Sequence, residues 1–581
     1  MWTRFFQRLL SRCRLGLIIA RETPFLLEIG ERATDMDYSA SPDGKQFPLP
    51  TDEDYAREFD QLKRLVSDQQ LKGREIVLVM GLGFVGAVMA AVVADSTDKS
   101  TGEPTKFVIG MQRPSTRSYW KIPLLNIGVS PVKAEDPEVE RLIRRGVVKR
   151  KNLVATFTYD ALSLADVVIV DVQCDFLKED LGNCVTGRAE IEALEESMRI
   201  MAERIQPDCL VLIETTVPPG TTEYIAYPTI KKGFAKRGID VDPLIAHSYE
   251  RVMPGRDYVR SIRDFWRVCS GINEESKSRV TRFLSDVLNV EEYPLTVLDR
   301  PIESETAKIV ENSYRATILA FMDEWSNFCE RNGVDLMKVI DAIKVRPTHS
   351  NMIFPGPGIG GYCLPKDGGL CVWAYRHLMG FEDENFKITP QAIDINDTRA
   401  LHAVQLVRDA LRNMGKIVAA STICILGCSY REDVGDTRYS GSELMVRKLA
   451  EMGADVKVHD PYVDHWWELE SQDTYPAIGA SLSRFFRNQK GLKDLRVEKD
   501  LGTVLEGADA VVLAVRHAPY LDLSPGSVVE MIGAPAAIVD CFGVLGDARI
   551  RRYFELGCEV KGLGRGHIQR IKEDVRGHMR G

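Results

Sequence analysis

Short unbroken apolar runs recur along the chain, each followed by a glycine-rich turn or by a stretch of helical periodicity. The first is EIVLVM at Glu75–Met80, which leads at once into glycines and an Ala/Val-rich segment. Further runs lie at Lys106–Met111, Ala165–Val172, Cys209–Thr216 and Pro243–Ser248, with a helical stretch from Glu190 to Ile205 between two of them. Runs of this kind are strands buried on both faces, and their alternation with helices predicts a parallel sheet covered on either side.

The pattern changes from Pro301 to about Cys329, where no Pro or Gly interrupts the segment after its first residue. It predicts one helix of about seven or eight turns. Its second half is apolar nearly all round, so it is expected to be buried in a core or between subunits. The alternation then restarts with Thr422–Gly427, a helix near Ser442–Ala450, Asp455–Pro461, Ala508–Val515 and Ala536–Phe542. Asp464–Lys499 reads as an insertion in this second lobe. Residues 21–70 are polar and mixed, with a turn at Ser41–Gly44.

A length of 581 residues calls for two or three domains. A formal net charge of −9 argues against a general nucleic-acid binder, whose phosphate contacts need a basic surface. The 12 cysteines are scattered without CxxC pairs, which argues against a disulfide scaffold or a structural zinc site and for a reducing cytosol. Arginines at 4, 8, 12 and 14 interrupt residues 1–20 before any membrane span can form. That arm is read as an extension, with contact to a membrane surface the less favoured alternative.

Gly81-Leu82-Gly83-Phe84-Val85-Gly86 directly follows a strand and opens a helix, the context a GxGxxG dinucleotide motif requires. Its glycines permit a tight turn and close approach of a pyrophosphate to a helix N-terminus. The second strand ends at Met111-Gln112-Arg113, without the acid that usually bonds the adenosine ribose. Gln112 can bond a hydroxyl, and Arg113 either favours a 2′-phosphate or faces solvent. NAD is the expected cofactor, with NADP the alternative. Glu214–Thr222, ETTVPPGTT, follows another strand and should reach the ligand; alone it is also an ordinary Pro-rich turn. Cys363 lies in the glycine-dense GIGGYCLPKD at Gly358–Asp367. A free cysteine is most often a small buried hydrophobe, but a cation such as Lys366 would favour its nucleophilic thiolate.

These motifs, together with ERVMPGR at Glu250–Arg256, ETAKIVENSYRA at Glu305–Ala316 and GDTRYS at Gly435–Ser440 before Asp460-Pro461-Tyr462, occur in one order. In that order the chain resembles the UDP-glucose/GDP-mannose dehydrogenase family from about Glu75 to about Gly564. The resemblance implies a four-electron oxidation of a sugar CH2OH to a carboxylate, consuming two NAD+. It makes Cys363 the nucleophile of a thiohemiacetal and then a thioester, and Lys308 the stabiliser of the oxyanion, with Asn312 one turn on. Asp367 would organise water and Lys308, Glu250 would serve thioester hydrolysis, and Thr216 would position a water beside the cofactor. Gly81, Gly83, Phe84, Val85, Gly86, Gln112, Arg113 and Thr216 are the expected cofactor contacts. Glu250, Arg251, Lys308, Asn312, Gly360, Gly361 and Arg438 are the expected substrate contacts.

The expected architecture is α/β. An extension at 1–70 precedes an N-terminal Rossmann-like dinucleotide-binding domain at 71–298. A long central helix with a helical middle domain and the cysteine loop spans 299–415, and a C-terminal Rossmann-like α/β domain for the UDP-sugar spans 416–581. ERVMPGR resembles the UDP-N-acetylhexosamine branch and CLPKD the UDP-glucose branch; the former is favoured, with a homodimer as the assembly. Departures from the family pattern are Tyr249 before Glu250, Tyr430-Arg431 near the start of the third domain, and the missing ribose acid. One rival is a two-electron β-hydroxyacid-type oxidoreductase, which needs neither Cys363 nor a second α/β lobe. Another is a non-catalytic nucleotide-sugar sensor or scaffold.

Overall fold

The computed structural model describes residues 37–253, 255–383, 385–470 and 489–580. The arm 1–20 and residues 471–488 of the expected insertion lie outside them.

Ser41–Gly44 is the turn of an antiparallel hairpin, Tyr38–Ala40 with Gln46–Pro48. Helix α1, Asp52–Gln70, follows behind a Thr51/Asp54 capping box and buries Leu62 and Val66 against the first sheet. The sequence reading missed α1 because its buried stripe is so thin.

The first sheet contains β1 (Glu75–Met80), β2 (Lys106–Met111), β3 (Leu153–Thr156), β4 (Val167–Val170), β5 (Leu210–Ile213), β6 (Leu244–His247), β7 (Val268–Gly271) and β8 (Thr296–Val297). Their spatial order is 3-2-1-4-5-6-7-8, all parallel except for the antiparallel β6–β7 pair. The first six strands thus have the order of a dinucleotide-binding fold, with its switch point between β1 and β4. Helix α2, Phe84–Ala94, covers one face with Ala87–Ala94 all buried. The helix at Glu192–Arg204 and α1 cover the other. Burial on both faces is why β1 and β2 carry no alternating polar positions.

Helix α3, Pro301–Asn332, has Pro301 at its first turn and ends at Gly333 with φ 70°. Its 32 residues make it about 48 Å long. It packs against α4 (Asp367–Trp373) and α5 (Ile388–Asn413), and a buried Arg399–Asp323 pair at 2.8 Å ties α5 to α3.

The second sheet has β9 (Thr422–Leu426), β10 (Asp455–His459), β11 (Val497–Glu498), β12 (Ala510–Leu513), β13 (Ala537–Asp540) and β14 (Glu559–Gly562), all parallel. Its spatial order, 11-10-9-12-13-14, repeats the topology of the first six strands. The ends of the expected insertion belong to this lobe: Trp466 and Leu469 enter its core and β11 is an edge strand. Strands β8 and β11 escape the sequence reading because each has only two residues, and β3, β7 and β14 because Thr156, Ser270, Gly271, Glu559 and Lys561 break their apolar runs.

Two polar contacts between domains stand out. Asp335, Asp547 and His567 meet beside Lys338 and Arg565, a mixed-charge cluster that joins the middle and C-terminal domains. Across the cleft, Gly435 N donates to Glu135 Oε1 at 2.8 Å, and Lys133 pairs with Asp464.

Candidate active site

The cofactor turn is built by close approach. Gly81 has φ 106°, and a Cβ on Gly86 would lie 1.9 Å from the Gly81 carbonyl oxygen. No side chain caps the start of α2, so its first N–H groups face the cleft as an anion site. This cradle fits a dinucleotide pyrophosphate. Gln112 does not simply face a ribose: its Oε1 accepts from Leu82 N at 2.9 Å and braces the turn, while Arg113 is exposed. Phe84 is exposed, Val85 is half-buried, and the Phe84 carbonyl accepts from the Tyr258 hydroxyl.

Asp171 and Glu214 follow the carboxyl ends of β4 and β5, and Arg267 immediately precedes β7. Arg267 pairs with Glu214 in full burial. Burial, with Glu214 and Glu250 nearby, holds the Asp171 carboxyl well above its usual range.

The ETTVPPGTT turn is fixed from α3. Glu305 accepts from Gly220 N at 2.6 Å, Thr222 N at 2.8 Å and Thr222 Oγ1 at 2.6 Å. Burial pushes its carboxyl up to about 7 against the pull of these donors. Thr216 is buried just beyond the end of β5. Glu305 stood inside a quoted motif, but its partner is 83 to 85 residues away in sequence.

One turn further along α3, Lys308 Nζ donates to the Glu250 carbonyl at 3.0 Å and lies 3.5 Å from Glu250 Oε1. The Tyr249 ring sits 5.5 Å from the same nitrogen, so the tyrosine that departs from the family pattern supports the lysine. Burial opposes the Lys308 ammonium, but Glu250, Cys363 and Asp367 outweigh it and keep the group charged. Asn312 Nδ2 donates to Asp367 Oδ2 at 2.6 Å, and Lys366 Nζ donates to Asp367 Oδ1 at 3.0 Å. The main chain closes the loop, with Asp367 N donating to Cys363 O at 3.0 Å.

Thus Lys308, Asn312, Cys363 and Asp367, which the sequence put together only by resemblance, form one cluster. The Cys363 thiol is not acidified. Burial, helped by Asp367, pushes it up to about 11 in spite of Lys308 and Lys366. A base must therefore take its proton before attack.

Gly361 has φ 79°, and a Cβ there would come 3.0 Å from the Tyr430 ring; Gly360 is pressed on the same tyrosine. Tyr430 therefore holds the cysteine loop from the third domain. Arg251 is packed by the Tyr249 and Phe265 rings, 5.5 and 5.7 Å from its guanidinium, and pairs with Glu311 at 3.4 Å. Arg438 lies in the cleft, paired with Asp436 at 2.7 Å and 4.6 Å from the Phe84 ring centroid. Tyr362 and Asp175, which the sequence reading did not single out, are joined by a hydrogen bond beside the nucleophile.

Three family models match the chain in succession. They are the NAD binding domain over 75–286, the central domain over 302–398 and the UDP binding domain over 424–547 of the UDP-glucose/GDP-mannose dehydrogenase family. The chain belongs to this family. A UDP-N-acetyl-D-mannosamine dehydrogenase of Pyrococcus horikoshii is 26% identical over 494 residues, 85% of this chain and 100% of the relative. A UDP-glucose 6-dehydrogenase of Rickettsia conorii is 24% identical over 64% of this chain and 79% of its own length. Among solved structures, NDP-N-acetyl-D-galactosaminuronic acid dehydrogenase from Methanosarcina mazei Go1 superposes with a TM-score of 0.68. It is 28% identical and the match covers 87% of this chain and 98% of that one. Among the described residues no helix is long and apolar enough to cross a membrane.

Proposed function

We propose that the protein is a nucleotide-sugar 6-dehydrogenase that oxidises the CH2OH of a UDP-N-acetylhexosamine to a carboxylate with NAD. The observation that carries this reading is the meeting of Lys308, Asn312, Cys363 and Asp367 beside the dinucleotide turn. The name of the Pyrococcus horikoshii relative and the ERVMPGR motif favour the acetamido sugar. The CLPKD motif keeps UDP-glucose as the second reading.

The bound nicotinamide cofactor supplies an acceptor for two electrons from the substrate carbon in each half of the reaction. Lys308 faces the carbon's oxygen, where its ammonium stabilises negative charge in a site of low polarity. Cys363 Sγ adds to the aldehyde carbon, and the thiol proton passes by way of water to the Asp367 carboxylate. Lys366 and Asn312 hold that carboxylate in line. The resulting thiohemiacetal is oxidised to a thioester. Water oriented by Thr216 then cleaves it with Glu250 as proton acceptor, and Cys363 is released with its proton. The net change consumes one water and two NAD+ and yields carboxylate, two NADH and three protons.

A homodimer belongs to the same reading. Val310, Tyr314, Phe321, Trp325 and Phe328 stand exposed on α3 at spacings of three, four and seven, the seam of a helix packed on a second copy. Within one chain that face is open, so of the two expected burials, in a core or between subunits, the second is the one this reading adopts. A groove of ≈840 Å³ lined by Val310, Thr306, Val268 and Leu298 continues the seam. The eleven cysteines among the described residues are all free, which suits a reducing compartment such as the cytoplasm.

A panel of UDP- and GDP-sugars assayed with NAD+ and with NADP+ tests the reading. The expected result is two NADH per sugar with a UDP-N-acetylhexosamine. One reduced cofactor per substrate would remove the thioester route.

A further inference from the structure

The adenosine end of the cofactor site departs from the usual dinucleotide pattern in its hydrogen-bonding sense. An acid at the end of the second strand ordinarily accepts from the ribose 2′-hydroxyl. Here β2 ends at Met111, and Gln112 and Arg113 follow. Gln112 N donates to the Thr156 carbonyl at 3.1 Å, which carries the β2–β3 pairing one residue further and fixes where the side chain starts. Its Oε1 accepts from Leu82 N, inside the glycine turn, at 2.9 Å. That bond sets the orientation of the amide, because only its oxygen can accept from a backbone N–H. A carboxylate in this place would keep one oxygen on Leu82 N and turn the other to the ribose. The amide presents an NH2 there instead, a donor where an acceptor usually stands. No protein group among the described residues accepts from it.

Arg113 extends the same change. It is exposed, and Pro114 after it disfavours a helical backbone there. Its carbonyl accepts from Ser118 Oγ at 2.8 Å. Ser118 N and Tyr119 N both donate to the Ser115 carbonyl, at 3.1 and 3.0 Å, so the segment leaving β2 is a tight turn. The hairpin of the N-terminal extension holds the far end of this turn, with Trp120 N donating to Ser39 Oγ at 3.1 Å. Tyr159, just past β3, is a neighbour of the guanidinium: burial pushes its hydroxyl up and Arg113 pulls it back. Two carboxylates near Tyr159 are already engaged, Asp160 with Arg204 at 3.3 Å and Glu196 with Arg199 at 2.8 Å. Among the described residues no carboxylate pairs with Arg113.

A 2′-phosphate offers acceptor oxygens and negative charge, which a ribose-binding acid would repel. A neutral NH2 donor beside an unpaired guanidinium has the opposite preference, since the planar fork of an arginine binds phosphate through two parallel N–H···O bonds. We propose that Gln112 and Arg113 form a subsite for the 2′-phosphate of a nicotinamide dinucleotide, so that this chain binds NADP+ at least as tightly as NAD+. The proposal deepens the cofactor half of the reading above: it rests on the dinucleotide turn, and not on which sugar is oxidised.

The test is isothermal titration calorimetry on the full chain, with 2′,5′-ADP and 5′-AMP as probes that differ only in the 2′-phosphate, and with NADP+ and NAD+. In the parent chain 2′,5′-ADP should bind about tenfold more tightly than 5′-AMP, and the preference should shrink in about 0.5 M salt. Gln112→Glu keeps the length of the side chain and the acceptor for Leu82 N, and replaces only the NH2 by a carboxylate oxygen. It should reverse the preference, about tenfold in favour of 5′-AMP and NAD+. Arg113→Ala alters an exposed side chain; it should bring the two probes within about threefold of each other while 5′-AMP binds as before. With a sugar that is oxidised, Arg113→Ala should raise KM for NADP+ and leave kcat unchanged, as loss of uniform binding does.

Equal or tighter binding of 5′-AMP in the parent chain would overturn the proposal, and so would a 2′-phosphate preference that survives both substitutions. These readouts need no turnover. A preference for 2′,5′-ADP in a chain that oxidises no sugar supports the subsite and counts against the dehydrogenase reading alone. Binding of none of the four probes would remove the dinucleotide site and the subsite with it.

Discussion

Cys363 stands among charges of both signs, and their balance leaves it a thiol. Lys308 and Lys366 favour the thiolate, yet burial and the Asp367 carboxylate outweigh them and push the group up to about 11. The alkylating form is the thiolate. In the free enzyme, the rate of Cys363 modification by iodoacetamide should therefore climb about tenfold per pH unit between about pH 7 and 9. Asp367→Asn removes a negative neighbour and should lower the thiol's pKa, so that modification is faster at any given pH. A flat profile, or slower modification in Asp367→Asn, would show that the carboxylate is not what restrains the sulfur. Lys308 differs in kind: Glu250 holds it from two atoms, so its charge is built into the site before substrate arrives.

At the scale of elements, α3 does two jobs with two faces. One face carries Glu305, Lys308 and Asn312 at spacings of three and four, so a single rigid helix sets the ETTVPPGTT turn, the oxyanion stabiliser and the partner of Asp367. Because α3 is one uninterrupted helix, a loosened turn at Glu305 should be felt one turn further on. Glu305→Gln leaves an amide NH2 facing an N–H or O–H donor in full burial, a loss of about 1–3 kcal/mol. The expected outcome is a lower thermal midpoint with a higher KM for NAD+. A midpoint equal to that of the parent chain would mean that water or a rotated amide replaces the lost acceptor.

The other face of α3 belongs to the whole molecule. Phe321, Trp325 and Phe328 form an edge-to-face series with centroids 6.2 and 5.5 Å apart, and all three are exposed in the single chain. Aromatic side chains dominate the energetics of interfaces when they are desolvated. Trp325→Glu should shift the chain from dimer to monomer in sedimentation velocity, with the Cys363 cluster intact. Sedimentation as one species in both chains would reject this face as the interface. The cleft is the second whole-molecule feature: two sheets of the same strand order face each other, and Arg438 crosses between them.

The two lobes were legible in the sequence because strands covered on both faces must be apolar throughout, and a run such as EIVLVM has few other readings. The cofactor turn was legible because glycine spacing is local, and Gly86 has no room for even a Cβ. Strands β3, β7, β8, β11 and β14 and helix α1 were not, since two residues, a run broken by polar or glycine positions, or one thin buried stripe carries too little pattern. Cys363 with Lys308, Asn312 and Asp367 was readable only through resemblance. What tertiary structure alone decided were the partners that stand far apart in sequence: Glu305 with Gly220, Tyr362 with Asp175, and Arg438 with Phe84. Local periodicity fixes which face of an element is apolar, but a cation's neighbours depend on how whole domains close, and no short-range pattern encodes that distance.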